Sequence, residues 1–219
     1  MTIADIFDRF LASAQPRRRL LVPGHAPLER LPMVVIDCET TGLDQRRDRI
    51  VSLAAVAIDP GLVVGRPRLD IVIDPRVAIP PQATSVHGID AAKVAGAPTI
   101  ADVWEEIADV LDGRVVVGHH VAFDLGMLAA EARRAGLAWQ EPACLDTAAM
   151  LAGMGLATAR LDLADVLPRL GIESRGQRHT ALGDATMTAD LFVALARRLR
   201  GQGRGTFGGA VAAQRLPGR

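Results

Sequence analysis

The sequence predicts an α/β domain built on a mixed sheet. Three apolar, β-branched segments (33–38, 50–58 and 68–73) follow one another with short polar turns, which is typical of an antiparallel meander. Further along the chain, helical patterns alternate with short apolar runs at 115–117 and 144–145. Strands that alternate with helices indicate parallel pairing, so the two sets together predict one five-stranded mixed sheet flanked by helices.

Apolar residues at helical spacing predict the helices that cover this sheet. We expect helices over 99–111, 122–135, 146–152, 161–170 and 180–199, and a loop with a short helix over 84–95. Thr99 is a candidate cap of the first of these helices, and Gly136 is a typical stop of the second.

The chain divides into three parts. Residues 1–30 contain an amphipathic pattern at 3–12 and a linker rich in proline and arginine. This helix could pack on the domain's own surface, or it could dock a partner or a second copy. Residues 31–200 form the core domain, and residues 201–219, rich in glycine and arginine, are expected to be a disordered tail.

Composition excludes several classes of protein. With 49% hydrophobic residues the chain can bury a full core, and no apolar run reaches the length of a membrane span. Cys38 and Cys144 are too few for a disulfide framework, so we expect reduced thiols in the cytoplasm. The formal net charge is zero, so any contact with nucleic acid must be local. All basic residues except Lys93 are arginine, which suits phosphate contacts.

Two acids close the first strand. Asp37 and Glu39 are two residues apart, so both face one side of the strand while Cys38 faces the other. Neighbouring carboxylates at the end of a buried strand repel each other unless a cation lies between them. Magnesium or manganese is held by such oxygen ligands. A solvated strand end is the alternative interpretation of this pair.

Two later segments strengthen the metal interpretation. Asp124 comes after the 115–117 strand at the start of a helix, and Asp184 lies one turn into the last helix with His179 just ahead of it. Each has a simpler explanation, since Asp124 could serve the helix dipole and His179 with Asp184 could be a surface pair. Their occurrence together at strand and helix ends favours one site.

The stretches DCETTG, HHVAFD and HTALGDA resemble the three exonuclease motifs of the DEDD superfamily of 3′–5′ exonucleases, over residues 32–200. The chain has no tyrosine, and His179 stands where the histidine subgroup has its histidine. The chain is similar in this to the exonuclease domain of the DNA polymerase III epsilon subunit. The resemblance implies a ribonuclease-H-like fold, with the first three of five strands antiparallel.

The resemblance also implies roles for the acids. Two divalent cations, Mg²⁺ or Mn²⁺, would be held by Asp37, Glu39, Asp124 and Asp184. Asp37 would contact both ions, Glu39 and Asp184 would complete the ion that carries the attacking water, and Asp124 would hold the other. His179 would be the general base.

Five residues are implied to contact the terminal nucleotide: Thr40, Thr41, Leu43, His120 and Phe123. Phe123 could equally be a core residue. The family usually has asparagine where this chain has His120, which leaves the substrate preference open. Arg46, Arg47 and Arg49 are the candidate phosphate contacts beside the first motif.

We therefore expect a metal-dependent 3′–5′ exonuclease that releases nucleoside 5′-monophosphates from single-stranded or frayed DNA ends, in proofreading or repair. An exoribonuclease acting on short RNA is the alternative enzyme. A polymerase-docking subunit, which would use the amino-terminal helix, is the alternative class. No membrane contact is expected.

Overall fold

The computed structural model describes residues 20–156, 163–173 and 175–215. The strands are β1 (Met33–Thr40), β2 (Ile50–Asp59), β3 (Val63–Val72), β4 (Val115–Gly118) and β5 (Cys144–Asp146). The helices are α1 (Pro81–His87), α2 (Ala91–Val94), α3 (Trp104–Leu111), α4 (Val121–Ala135), α5 (Thr147–Gly153), α6 (Leu163–Arg169), α7 (Ala181–Gly201) and α8 (Phe207–Ala213). A 3₁₀ turn spans Leu28–Arg30. The amino-terminal helix predicted at 3–12 lies outside the described residues.

The sheet is mixed, as predicted, with strand order β3-β2-β1-β4-β5. β1 pairs with β2 and β2 pairs with β3 in antiparallel fashion, whereas β4 pairs parallel to β1 and to β5. β1 runs well past the end of β4, since the last residue of β1 paired with β4 is Val35. The carboxyl half of β1 therefore lies beside the start of the helix that follows β4.

β3 begins five residues earlier than predicted, because the strand pattern is interrupted at Gly65 and Pro67. Val63 and Val64 nevertheless pair with Asp59 and Ile58, and the register of this pairing shifts around Val56. Pro67 is tolerated because β3 is an edge strand of the sheet.

Both faces of the sheet are covered. Met33 and Val35 face a core formed with α5, α6, α7 and α8, while Val34 and Ile36 face a core formed with α3 and α4. This alternation follows from the two-residue period of a strand. Continued along β1, it directs Asp37 and Glu39 to the face of α7 and Cys38 to the face of α4.

The helix predicted from residue 99 begins only at Trp104. Asp102 Oδ2 accepts hydrogen bonds from the Thr99 backbone N–H (2.8 Å) and from the Thr99 hydroxyl (2.6 Å). Thr99 also makes an isolated bridge with Asp74. Side chains of this kind often close local turns in competition with a helix, so Thr99 shapes a turn and does not cap α3.

The prediction of a disordered tail over 201–219 is wrong for the described part of that segment. Residues 207–213 form α8, which Thr206 caps by accepting a hydrogen bond from the Gly209 N–H at 3.1 Å. Ala210 and Ala213 are buried, and a side chain at Gly153 of α5 would collide with the Ala213 carbonyl. Small residues are here the means of close helix packing, although their abundance is also typical of disorder.

The linker before β1 pairs with the segment before α8. The Leu28 N–H donates to the Gly205 carbonyl at 3.0 Å, and the Phe207 N–H donates to the Ala26 carbonyl at 2.9 Å. Leu28 is buried in the same core as α7 and α8. The two segments thus form one edge of the domain. Of the helices described, none combines the length and the apolar character needed to span a membrane.

Candidate active site

Three carboxylates meet at the end of β1. Asp37 and Glu39 project from β1 toward α7, and Asp184 lies in the first turn of α7. One oxygen from each of the three lies within 4.8 Å of the others. The register of β1 with β2 shifts between Glu39 and Thr40, which marks an irregularity at the strand end. The structure therefore brings together three of the four acids singled out in the sequence.

Burial and mutual repulsion both act on this cluster. Burial, followed by the charges of Asp124, Asp184 and Glu39, raises the pKa of Asp37 well above its usual range. Burial and the charge of Asp184 raise the pKa of Glu39 from 4.5 to about 7. A positive ion between these oxygens would relieve both causes at once. The oxygen-only donor set is the kind that hard divalent cations prefer.

The fourth acid, Asp124, approaches from the opposite face of the sheet. It lies in the first turn of α4, is 4% exposed, and accepts the Cys38 backbone N–H at 2.9 Å. The Cys38 thiol donates to it as well. Burial raises the pKa of Asp124 to about 7, although the two hydrogen bonds from Cys38 lower it. Asp124 is thus outside the group of three but close enough to repel Asp37.

His179 lies on the loop immediately before α7. Its backbone is in the left-handed region, with φ 57°, and its N–H donates to Asp184 Oδ2 at 3.1 Å. Thr180 caps α7 by accepting the Gly183 N–H at 3.1 Å, while its hydroxyl donates to the Gln177 carbonyl at 2.8 Å. The exposed His179 is therefore tied by its backbone to a carboxylate of the cluster.

Two glycines allow this loop to lie directly on α7. A side chain at Gly183 would collide with the Gln177 carbonyl, and one at Gly176 would collide with the Gly183 carbonyl. Neither obstacle is a movable side chain. The approach of the loop that carries His179 to the first turn of α7 therefore requires glycine at both positions.

His87 fixes the end of β1. Its Nδ1 accepts the Ile89 N–H at 3.0 Å, so its Nε2, 3.2 Å from the Thr40 carbonyl, is the donor to that carbonyl. Burial lowers the pKa of His87, which favours this neutral form. His87 therefore holds the backbone next to Glu39, which agrees with the structural role that its loop position suggests.

The predicted nucleotide-contacting residues differ in accessibility. The Thr40 hydroxyl donates to the Gly42 carbonyl at 2.7 Å. The Thr41 hydroxyl donates to Asp48 Oδ1 and accepts the Arg49 N–H, both at 3.0 Å. These two threonines are buried and shape the turn after β1, whereas Leu43 is 83% exposed and free to meet a ligand.

The other two predicted contacts lie at the start of α4. His120 is exposed, with φ 63°, and its ring meets the His119 ring edge-on at a centroid distance of 4.9 Å. Phe123 is partly buried and packs on the core that contains Cys38. The core interpretation of Phe123 and the ligand interpretation are therefore compatible.

Arg49 does not have the role suggested by its position. Its Nε donates to both oxygens of the buried Glu131, at 2.8 and 3.0 Å, so its guanidinium is engaged in an ion pair and is not a phosphate contact. Arg47, with a side chain 87% exposed, makes only a long contact of 3.7 Å with Asp44. No local sequence pattern predicts the Glu131 contact, because the two residues are 82 positions apart in the chain.

Comparisons with known proteins agree with this geometry. The family model described as exonuclease (RNase T) matches residues 34–192. A DNA polymerase III subunit epsilon-like protein of Rhodobacter capsulatus is 39% identical over 195 residues, which are 88% of this chain and 28% of that protein. The DNA polymerase III subunit epsilon of Aquifex aeolicus is 30% identical over 76% of this chain and 81% of its own length.

Solved structures show the same fold. Exonuclease X in complex with 5′ overhanging duplex DNA superposes with a TM-score of 0.65 at 23% identity, over 83% of this chain and 99% of that one. Escherichia coli exonuclease I in complex with a dA16 oligonucleotide gives a TM-score of 0.64 at 19% identity, over 78% and 41%.

The chain spans only 28% and 29% of the length of the first two curated relatives. The match to the family model nevertheless covers β1, where Asp37 and Glu39 lie, as well as Asp124, His179 and Asp184. On the strength of that match and of the Aquifex relative, the chain belongs to the exonuclease family, as a member of the DEDD 3′–5′ exonucleases.

Proposed function

We propose that this protein is a metal-dependent 3′–5′ exonuclease that releases nucleoside 5′-monophosphates from single-stranded or frayed DNA ends, in proofreading or repair. The observation that carries the proposal is the cluster of Asp37, Glu39 and Asp184, whose oxygens lie within 4.8 Å of one another. The raised pKa of Glu39, about 7, supports it, because such a group has little reason to be buried beside other acids without a cation.

Two divalent cations, Mg²⁺ or Mn²⁺, fit the donor set, with Asp37, Glu39 and Asp184 as ligands on one face of β1 and Asp124 as a ligand from the other. When bound, such ions stabilise the negative charge that develops on a phosphodiester as water attacks it. The chain's part is to hold these four carboxylates on two rigid helices and one strand, so that the ligands are placed before substrate arrives.

His179 is the proposed general base. Its backbone N–H donates to Asp184, so the residue lies next to the cluster, and an imidazole can accept a proton near neutral pH. The absence of tyrosine from the chain supports membership of the histidine subgroup of the superfamily. His179 would take the proton of the attacking water.

DNA is the proposed substrate because the relatives include subunits of DNA polymerase III and the solved structures include DNA complexes. The exposed Leu43 and His120 flank the site and are proposed to contact the terminal nucleotide, with Thr40, Thr41 and Phe123 forming the wall behind them. The zero net charge implies few phosphate contacts. We therefore expect a salt slope of roughly 2–3 for single-stranded oligonucleotides.

The test is a time course on 5′-labelled DNA and RNA oligonucleotides, single-stranded, mismatched at the 3′ end or blunt, with Mg²⁺, Mn²⁺ or EDTA. We expect shortening from the 3′ end, faster on single-stranded and mismatched DNA than on blunt DNA, and none in EDTA. Asp70→Asn, which removes an exposed carboxylate of β3, is the charge-matched control for Asp184→Asn, which removes a carboxylate of the cluster. Internal cuts, shortening from the 5′ end or full activity in EDTA would contradict the proposal.

The same panel separates the alternatives. Faster cleavage of short RNA than of DNA would indicate an exoribonuclease. Association with a polymerase, suggested by the names of the relatives, or self-association would involve the segment 1–19. Light scattering and co-purification with the full chain and with a Phe7→Glu variant test this. The free state of Cys38 and Cys144 supports the proposed cytoplasmic location.

A further inference from the structure

His120 has an unusual backbone for a side chain of its size. It stands between β4 and α4 in the left-handed region, with φ 63° and ψ 41°. A non-glycine residue in this conformation costs about 1–2 kcal/mol and persists only when its surroundings hold it. The question is what holds His120.

The residue that holds the His120 backbone is Asp146, at the end of β5. Asp146 Oδ1 accepts the His120 backbone N–H at 3.2 Å. The same oxygen accepts the N–H groups of Ala148 and Ala149, at 2.9 and 3.2 Å, so it also caps α5. Asp146 therefore joins the left-handed residue to a helix start on the neighbouring strand.

Asp146 is anchored in turn by the carboxyl-terminal part of the chain. Its backbone N–H donates to Gln214 Oε1 at 2.9 Å, just after α8. Residues 193–215 lie beyond the part matched by the family model, which ends at 192. Two successive hydrogen bonds thus connect this extra segment, through Gln214 and Asp146, to His120.

A second contact supports the same turn. The buried Thr147 hydroxyl donates to the Gly118 carbonyl at 3.1 Å, so His119 Nδ1, 2.9 Å from the same hydroxyl, must donate its own proton to it. The ring of His119 then contacts the ring of His120 edge-on. The position of the His120 imidazole is therefore determined from both its backbone and its ring.

We propose that Gln214 and Asp146 are positioning residues that hold His120 in its left-handed conformation, so that its imidazole contacts the terminal nucleotide and sets how tightly that nucleotide is bound. This inference rests on the proposed function. It makes the segment around α8 part of the substrate-binding frame. Asp146 and Gln214 touch no substrate themselves.

Gln214→Ala is the cleanest variant, because it changes no charge. Asp146→Ala would also remove a negative charge that raises the pKa of Asp124. We expect Gln214→Ala to raise KM for a single-stranded oligonucleotide by roughly two- to tenfold, the range for one lost hydrogen bond, with kcat nearly unchanged. Gln202→Ala, an exposed glutamine just after α7, is the matched control and should behave as wild type.

A double-mutant cycle distinguishes positioning from general support of the fold. His120→Gly removes the imidazole and needs no hold, because glycine adopts positive φ readily. If Gln214 acts through His120, Gln214→Ala should change KM no further in the His120→Gly background. Equal effects of Gln214→Ala in both backgrounds would overturn the proposal.

A measurement that needs no activity completes the test. The Cα and Cβ chemical shifts of His120 report its backbone conformation, and we expect Gln214→Ala but not Gln202→Ala to move them away from left-handed values. Unmoved shifts would refute the positioning role even if the wild-type enzyme degrades DNA normally. Conversely, a wild-type chain that cleaves nothing would refute the proposed function, while the shifts would still decide whether Gln214 holds His120.

Discussion

Buried carboxylates lie near both ends of α4, a group at its start and the single residue Glu131 in its last turns, and their surroundings differ. At the start of the helix, Asp124 lies beside Asp37 and its neighbours, and burial raises its pKa to about 7. In the last turns of the helix, Glu131 is 1% exposed and is surrounded by donors. The pKa values of Asp37, Glu39 and Asp124 are raised, whereas Glu131 is paired with Arg49 and Arg134.

The partners of Glu131 show how a fold satisfies a buried acid. Arg49 donates to both of its oxygens, the Ile50 N–H donates at 3.2 Å, and Arg134 lies 3.4 Å away. Arg134 also donates to the Gln45 carbonyl at 2.7 Å, which ties the turn after β1 to α4. Arginine could have been placed in the same way at the end of β1. Acids whose pKa values are raised by burial and by one another, as those of Asp37 and Glu39 are, therefore indicate a binding place for a cation.

The largest expected effect tests the carboxylate cluster at the end of β1. Asp184→Asn removes a ligand of the proposed cations and should lower the rate roughly 10³-fold or more. Because one repulsive charge is also removed, the metal-free variant should unfold at the same temperature as wild type or higher. Steady-state rates and thermal unfolding in EDTA check both. A variant that keeps its activity would remove the contrast with Glu131.

His179 should contribute next, since it lies beside the cluster but is not one of its acids. His179→Ala should lower turnover by roughly 10²–10⁴-fold, the range for a general acid or base, with little change in substrate affinity. The rate of the wild type should rise with pH through the range in which histidine titrates, and the variant should lose this rise. Matching pH profiles in the two proteins would rule out the assignment.

Substitution of Glu131 should have the opposite effect, on stability and not on the rate. Glu131→Gln replaces the carboxylate that Arg49 and Arg134 contact, and should reduce the free energy of unfolding by about 1.5–3 kcal/mol, as for hydrogen bonds to charged groups. The rate per folded molecule should stay close to that of wild type, because Glu131 does not reach the site. Urea unfolding and assays well below the melting temperature measure the two quantities. Lost activity in a fully folded variant would contradict the division of roles.

The smallest effect concerns pH. The pKa values of Glu39 and Asp124 are about 7 in the folded protein, against 4.5 and 3.8 for the unperturbed groups. The folded state therefore binds these protons more tightly than the unfolded chain, so their stabilising contribution is present below about pH 4 and is lost as pH rises to about 7. We expect the melting temperature in EDTA to be lower at pH 8 than at pH 5.

The control for this prediction is Glu39→Gln, which should reduce the dependence on pH, whereas Asp70→Asn should leave it unchanged. Saturating Mn²⁺ should reverse the slope, because a cation favours deprotonated ligands and stabilises the folded state that binds it. A melting temperature in EDTA that rises steadily from pH 5 to pH 8 would contradict the raised pKa values.

The sequence predicted the parts of this site that depend on local periodicity. The two-residue period of β1 was enough to place Asp37 and Glu39 together, and the helix predicted over 180–199 placed Asp184 one turn in. What could not be predicted depends on contacts between distant segments. No local pattern indicates that Cys38 donates to Asp124, or that Glu131 engages Arg49 from a position 82 residues away.

The segment after α7 shows the same limit in another form. Its glycines and arginines predict disorder if each residue is considered alone, since such residues bury little apolar area. The segment packs because Gly153 offers a surface without a side chain, onto which the end of α8 fits. Close packing of this kind depends on both partners, and only one of them is visible in any local stretch of sequence.

The pairing of the linker before β1 with the segment before α8 bears on how this domain can be joined to other proteins. Hydrogen bonds between Leu28 and Gly205 and between Ala26 and Phe207 keep the entry and the exit of the core side by side. A domain whose two ends are neighbours can be inserted into a longer polypeptide without stretching its own structure. The exonuclease unit can therefore be carried as a cassette within a longer polypeptide.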